Sequence, residues 1–151
     1  MKIIVDNGGT KSDWAIVGEK DVFSFEGINV FDLENIIVKK INNIFSTMHV
    51  DVNQVELYFY TTGANKFIKS KMKEIFSSNF PMIIFSIYSD MLGASRALFE
   101  NKSGIACVLG TGSNCAYYDG LNNHIITPSL GYLFADEGSG YDLGKRFLFH
   151  Y

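Results

Sequence analysis

The chain has 151 residues, enough for one domain with a proper core. Hydrophobic residues are 47% and charged residues 19% of the total, the balance of an ordinary globular protein. A net charge of -3 leaves no basic field to hold nucleic acid or an anionic membrane, and no apolar run approaches the ~20 residues that cross a bilayer.

In chain order, Ile3 to Val5 reads as a short buried strand, and Gly8-Gly9 makes a turn. Asp13 to Val17 is a second strand, and Gly18-Glu19-Lys20-Asp21 turns into a third, Val22 to Phe25. Leu33, Ile37, Ile41, Ile44 and Met48 recur at helical spacing, with Asp32 as candidate N-cap. Val55 to Tyr60 is a strand, and Phe67, Ile68, Met72, Ile75 and Phe76 mark a second helix. Met82 to Ile87 is a strand, followed by a helix from Asp90 to Phe99. The order βββαβαβα predicts a mixed sheet with covering helices. The aromatic residues of these periodic segments, Phe23, Phe25, Phe45, Phe67, Phe76 and Phe85, are expected in the core.

The polar break Asn101-Lys102-Ser103-Gly104 divides the expected domains, 1–101 and 102–151. After it the pattern restarts: strand Ile105 to Leu109, turn Gly110-Thr111-Gly112-Ser113, strand Cys115 to Tyr118, a short strand at Ile125-Ile126, and a glycine-opened helix from Gly138 to Tyr151. Strand, glycine turn with hydroxyl residues, and strand thus occur twice. The second copy lacks the elements that follow the first, so the expectation is a chain that stops early in a second domain. Cys107 and Cys115 offer no disulfide framework and no metal spacing, and their apolar, strand-like runs predict buried free thiols. With Asp6 interrupting the apolar start, no signal peptide is expected, and the predicted location is cytoplasmic.

The chemistry-bearing segments are four. Asp6-Asn7-Gly8-Gly9-Thr10-Lys11-Ser12-Asp13 follows a strand; its glycines permit close backbone approach, its N–H groups can cradle anions, and Asp6 can hold magnesium through water. It is not a Walker loop, since GxxxxGK[ST] is absent and a strand follows instead of a helix. Gly110-Thr111-Gly112-Ser113-Asn114 repeats that chemistry, which makes two hairpin turns at equivalent places in a repeated unit. Ser89-Asp90 lies at a strand-to-helix junction, where a carboxylate is favoured by the helix macrodipole and can serve as a cap or as a base. Gly131 to Gly140 places Asp136 and Glu137 before a helix start.

Asp6 to Trp14, Ser89 to Ala97, Gly110 to Cys115 and Gly131 to Gly144 resemble, in order, the motifs of N-acetylglucosamine kinases and the related BadF/BadG/BcrA/BcrD-type ATPases of the actin/hexokinase/Hsp70 superfamily. The resemblance implies an actin-like, ribonuclease H-like α/β fold with a mixed five-stranded sheet, and two lobes closing over ATP and sugar. It implies phosphate contacts from Gly8, Gly9, Thr10, Lys11 and Ser12 and from Gly110, Thr111, Gly112 and Ser113, with Asp6 on Mg2+ through water. Asp90 matches the family's catalytic base, and Asn29, Asn114, Gly131 and Asp136 match sugar contacts. The chain departs from the pattern at Asn7, a frequent Gly, at Ala135, usually Gly before Asp-Glu, and at Leu130, where the sugar has an aromatic neighbour.

The implied activity is transfer of the ATP γ-phosphoryl group to a sugar hydroxyl, the 6-hydroxyl of N-acetylglucosamine or a related amino sugar, with a homodimer as an admissible assembly and no nucleic-acid or membrane partner. The family's adenosine-binding segment lies beyond residue 151, so residues 1–151 alone are expected to be inactive. An activator ATPase for a dehydratase or reductase is the rival; those bind an iron–sulfur cluster through added cysteines, and the strand placement of Cys107 and Cys115 speaks against it. A non-catalytic ligand-binding fragment is the reading outside enzymes.

Overall fold

The computed structural model describes residues 1–125 and 130–151. Contacts divide the chain into two compact units, Met1–Asp90 and Met91–Tyr151.

The first unit is built on β1 (Lys2–Asn7), β2 (Lys11–Ile16), β3 (Val22–Glu26), β4 (Glu56–Thr61) and β5 (Ile84–Ser89), with α1 (Glu34–Thr47) and α2 (Lys66–Asn79). The sheet order is β3-β2-β1-β4-β5. β1 to β3 form the expected antiparallel meander, whereas β4 runs parallel to both β1 and β5. Period-two burial along β1 and β4 puts Ile3, Val5, Leu57 and Phe59 on one face. Ile37, Ile41, Ile44 and Phe45 of α1 and Ile68, Met72, Ile75 and Phe76 of α2 join them in one core. Trp14 is fully buried at its centre, edge-on to Phe45 with ring centroids 5.7 Å apart. Burial of each such side chain contributes ~1.5–3 kcal/mol, so the core over-determines the strand register.

Two details differ from expectation. Phe67 is exposed, because at the start of α2 it sits one position before the inward-facing Ile68 and so points away from the sheet. Asp32 is not the cap of α1: Leu33 occupies that position without a side-chain hydrogen bond, while Asp32 accepts one from Asn29. Helix α2 does carry a side-chain cap, Asn65 accepting from the Ile68 N–H.

The second unit comprises α3 (whose range Asp90–Phe99 begins at the last residue of the first unit), β6 (Gly104–Leu109), β7 (Ser113–Tyr118), β8 (Asn123–His124) and α4 (Gly140–Phe149). β6, β7 and β8 form an antiparallel sheet in that order. Met91 and the partly buried Phe99 of α3 pack on Ala106, Ala116 and Val108, so this helix goes with the second sheet. The structure pairs Asn123–His124 with β7; of the strand expected at Ile125-Ile126, Ile126 lies outside the described residues.

The expectation for the cysteines is overturned. Cys107 and Cys115 stand directly opposite each other in the β6–β7 register, Cα atoms 4.3 Å apart, and form a disulfide. Both lie on the exposed face, because the alternation that buries Ala106 and Ala116 turns their neighbours outward. The apolar run concealed that its two faces are unequal. No helix among the described residues is long and apolar enough to cross a membrane.

Candidate active site

In the first unit, the carboxyl ends of the parallel strands collect the acidic groups. Asp6, near the end of β1, is in register with Tyr60 of β4, and Tyr60 with Tyr88 of β5, two residues before Asp90. Ligands of α/β sheets settle at these strand ends, since helix N-termini and loops converge there. The Asp6 carboxyl is pushed above its ordinary range by desolvation first, then by the charges of Asp90 and Asp13; Lys11 opposes them. Asp13 is held below its ordinary range by hydrogen bonds from Ser24 (2.6 Å) and from Lys11, whose ammonium lies 2.9 Å away.

The raised Asp6 has a consequence for stability. Asp6 binds its proton more tightly folded than unfolded, so its contribution is fully present below the unfolded pKa and lost as pH rises through the folded one. Asp6→Asn is therefore expected to raise the melting temperature at neutral pH, by at most a few degrees for so accessible a group, and to bring no gain in acid. Melting curves across the carboxylate range check this.

The glycine loop is a tight hairpin. The Gly8 N–H donates to the Lys11 carbonyl (2.9 Å), and the Gly27 N–H donates to the Thr10 carbonyl (3.0 Å). A Cβ on Gly27 would stand 2.6 Å from the Gly8 carbonyl oxygen and 2.9 Å from that of Gly9, so only glycine lets this segment lie against the loop. Gly9, Thr10 and Lys11 are exposed. Ser12 is wholly buried, and its hydroxyl accepts from the Trp14 indole N–H (2.7 Å).

A cavity of about 230 Å3 adjoins the loop, lined by Gly8, Gly9, Asn29, Phe31, Thr61 and Thr62 among others. The wider depression over α1, lined by Leu33, Glu34, Val38 and Asn42 among others, involves none of Asp6, Asp13 and Asp90. Within the small cavity Asn29 makes a local turn: its Oδ1 accepts from the Phe31 N–H (3.1 Å) and its Nδ2 donates to Asp32 (2.9 Å). The threonines at the end of β4 escaped sequence reading, because two threonines following an aromatic run give no local signal of a cavity.

In the second unit, the β6–β7 hairpin presents the other glycine loop. The Gly110 N–H donates to the Gly112 carbonyl (2.9 Å), while the loop's own carbonyls at Gly110 and Thr111 accept from the N–H groups of Gly140 (2.8 Å) and Tyr141 (3.3 Å) in the first turn of α4. That helix is capped by Ser139, which accepts from Asp142 (3.1 Å), and Asp142 accepts in return from Gly138 (3.0 Å). Gly138 and then Arg146 hold the Asp142 carboxyl below its ordinary range. Asp136, buried and at φ 69°, has a carboxylate oxygen accepting from the Ser113 N–H (3.0 Å). A Cβ on Gly112 would stand 3.0 Å from the other oxygen. This loop therefore already holds one anion through its backbone. Asn114 accepts from the Cys115 N–H (2.8 Å), and Gly131, at φ 69°, opens a turn whose carbonyl accepts from Phe134 and Ala135.

The sheet order, the acidic strand ends and the two glycine hairpins define an actin-like ATPase fold. Over 98% of its length the chain is similar to a protein of Porphyromonas gingivalis provisionally named an N-acetylglucosamine kinase, at 35% identity and a TM-score of 0.88. The chain is thus related to the N-acetylglucosamine kinases of the actin/hexokinase superfamily, as its motifs indicate. It covers 55% of that protein, so it spans about half the length of this relative. The polyphosphate/ATP-glucomannokinase of Arthrobacter sp. strain KM shares the fold (13% identity, TM-score 0.63, 96% of this chain and 70% of that one). So does a provisionally named sugar kinase of Cytophaga hutchinsonii (19%, 0.53, 86% and 52%). No protein-family model and no curated protein sequence matches the chain.

Proposed function

We propose that the whole protein is an ATP-dependent sugar kinase that transfers the γ-phosphoryl group to a sugar hydroxyl, the 6-hydroxyl of N-acetylglucosamine or a related amino sugar. The observation that carries this reading is the placement of Asp6 and Asp90 at the same end of parallel strands, with the charge of Asp90 acting on the Asp6 carboxyl, beside a glycine hairpin and a small cavity lined by Asn29, Thr61 and Thr62 among others. Similarity to a protein named as such a kinase supports the choice of acceptor.

In this reading Asp90 accepts the proton of the attacking hydroxyl. Asn29, Asn114, Gly131 and Asp136 contact sugar hydroxyls. The loops Gly8 to Ser12 and Gly110 to Ser113 receive phosphate oxygens, through groups other than the N–H groups of Gly8, Gly110 and Ser113, which the hairpins and Asp136 already engage, with Lys11 adding a positive charge. Positioning and electrostatics do most of the work in such transfers, because the transition state is loose and its charge is spread over the phosphoryl oxygens. Asp6 would hold, through water, a magnesium ion accompanying ATP, which would supply positive charge beside the phosphoryl oxygens. The residues present suit it: Asp6 is an oxygen ligand crowded by Asp90 and Asp13, and a hard dication relieves that repulsion.

The test is a panel of hexoses and N-acetylated amino sugars offered to the whole protein with ATP and magnesium, with product position read by NMR. N-acetylglucosamine 6-phosphate as main product is the expected result. ATP hydrolysis without transfer to any sugar would sink the reading.

A further inference from the structure

Asn7 stands where the resembled motif has glycine, yet it is not an idle replacement. At the end of β1 it is 1% exposed, and its side chain makes three hydrogen bonds. Its Oδ1 accepts from the Ile28 N–H (2.8 Å), and its Nδ2 donates to the Ile28 carbonyl (2.8 Å) and to the Thr61 hydroxyl (3.0 Å). The amide thus grips both polar groups of one residue, as a neighbouring strand would, and anchors the grip to β4. Asn7 is also the residue just before Gly8, and Ile28 the residue just before Asn29. Gly27, on the other side of Ile28, touches the glycine loop through its N–H and its close approach to the carbonyls of Gly8 and Gly9. The segment Gly27 to Phe31 and the loop Gly8 to Thr10 are therefore fastened at adjacent points, and between them they line much of the small cavity.

We propose that Asn7 is a positioning residue that holds the cavity segment Gly27 to Phe31 against the first phosphate loop, so that sugar affinity is set from the strand that carries that loop. This rests on the sugar-kinase reading for its functional half. The physical reason is the asymmetry of buried hydrogen bonds. Removing the amide leaves the Ile28 N–H and carbonyl buried without partners, and the segment regains those bonds only by moving outward to water. A displacement of that kind misplaces Asn29 and Phe31 while the glycine loop keeps its own Gly8-to-Lys11 bond.

The experiment compares wild type, Asn7→Ala and Asn7→Asp in the whole protein. Amide hydrogen exchange at Ile28, measured against Leu57 in the core, reads the fastening without reference to catalysis. Asn7→Ala should speed Ile28 exchange at least about tenfold and leave Leu57 unchanged. It should raise the sugar KM roughly tenfold or more, with the ATP KM within about twofold. Asn7→Asp should resemble Asn7→Ala at neutral pH. Unchanged Ile28 exchange in Asn7→Ala would overturn the proposal, as would faster exchange with an unchanged sugar KM. A loss of melting temperature with both KM values unaltered would reduce Asn7 to a stabilising core amide, which also overturns it. Failure of the wild type to phosphorylate any sugar is a separate result that condemns the kinase reading, and the exchange comparison still decides whether Asn7 holds the segment.

Discussion

Asp90→Asn is expected to lower turnover by roughly 10²–10⁴-fold, the usual contribution of a positioned general base. The substitution keeps the shape and an oxygen for the first turn of α3, and Asn caps a helix about as well as Asp. A residue that merely caps would therefore tolerate it almost silently. If Asp90 takes the hydroxyl proton, the amide cannot, and the loss should fall on turnover with ATP affinity nearly unchanged. A second signature comes from Asp6. Part of the upward push on its carboxyl is the charge of Asp90, so removing that charge should bring Asp6 back toward its ordinary range, visible by NMR titration. Retention of most of the turnover, in a variant whose Asp6 titration has moved as expected, would show that the charges interact but that Asp90 is not the base.

Gly112→Val is expected to weaken nucleotide binding by roughly 10²-fold, the scale of a misplacement of about 1 Å in a positioning loop. The Cβ alone would stand 3.0 Å from the Asp136 carboxylate, and the branches of valine have less room still. Either the loop or Asp136 must shift, and the Ser113 N–H to Asp136 bond lies in the path of both. The fold should survive, because the buried Ala106, Ala116 and Tyr118 anchor β6 and β7 away from the turn. Calorimetric titration with the nucleotide in the whole protein measures the effect. Undiminished affinity in the folded variant would return Gly110 to Ser113 to the status of an ordinary turn.

Local rules were enough for much of this molecule. The meander, both helices of the first unit and α3 follow from short-range periodicity, which is strong wherever one face is buried. The turns at Gly8-Gly9 and at Gly110 to Ser113 were legible because glycine between a strand and its return marks a tight turn. Asp90 was legible as a junction residue for the same reason: the strand and helix patterns on either side meet there. The long-range partnerships were not legible. Nothing local connects Asn7 to Ile28 and Thr61, or Ser113 to Asp136, since each bond joins residues 21 or more positions apart. Ser12 shows the limit within a motif: the sequence places its hydroxyl in the phosphate loop, whereas packing places it under the Trp14 indole. The cysteines show another: an apolar run records that a strand has a buried face, and only the sheet's contact with Met91 and Phe99 decided which face that is. By itself, then, the sequence determined the order of elements and the chemical kind of each loop, because those depend on neighbours a few residues away. The tertiary structure decided which polar groups are already satisfied and which face outward, because burial and hydrogen-bond partners depend on elements that meet only when the sheet has formed.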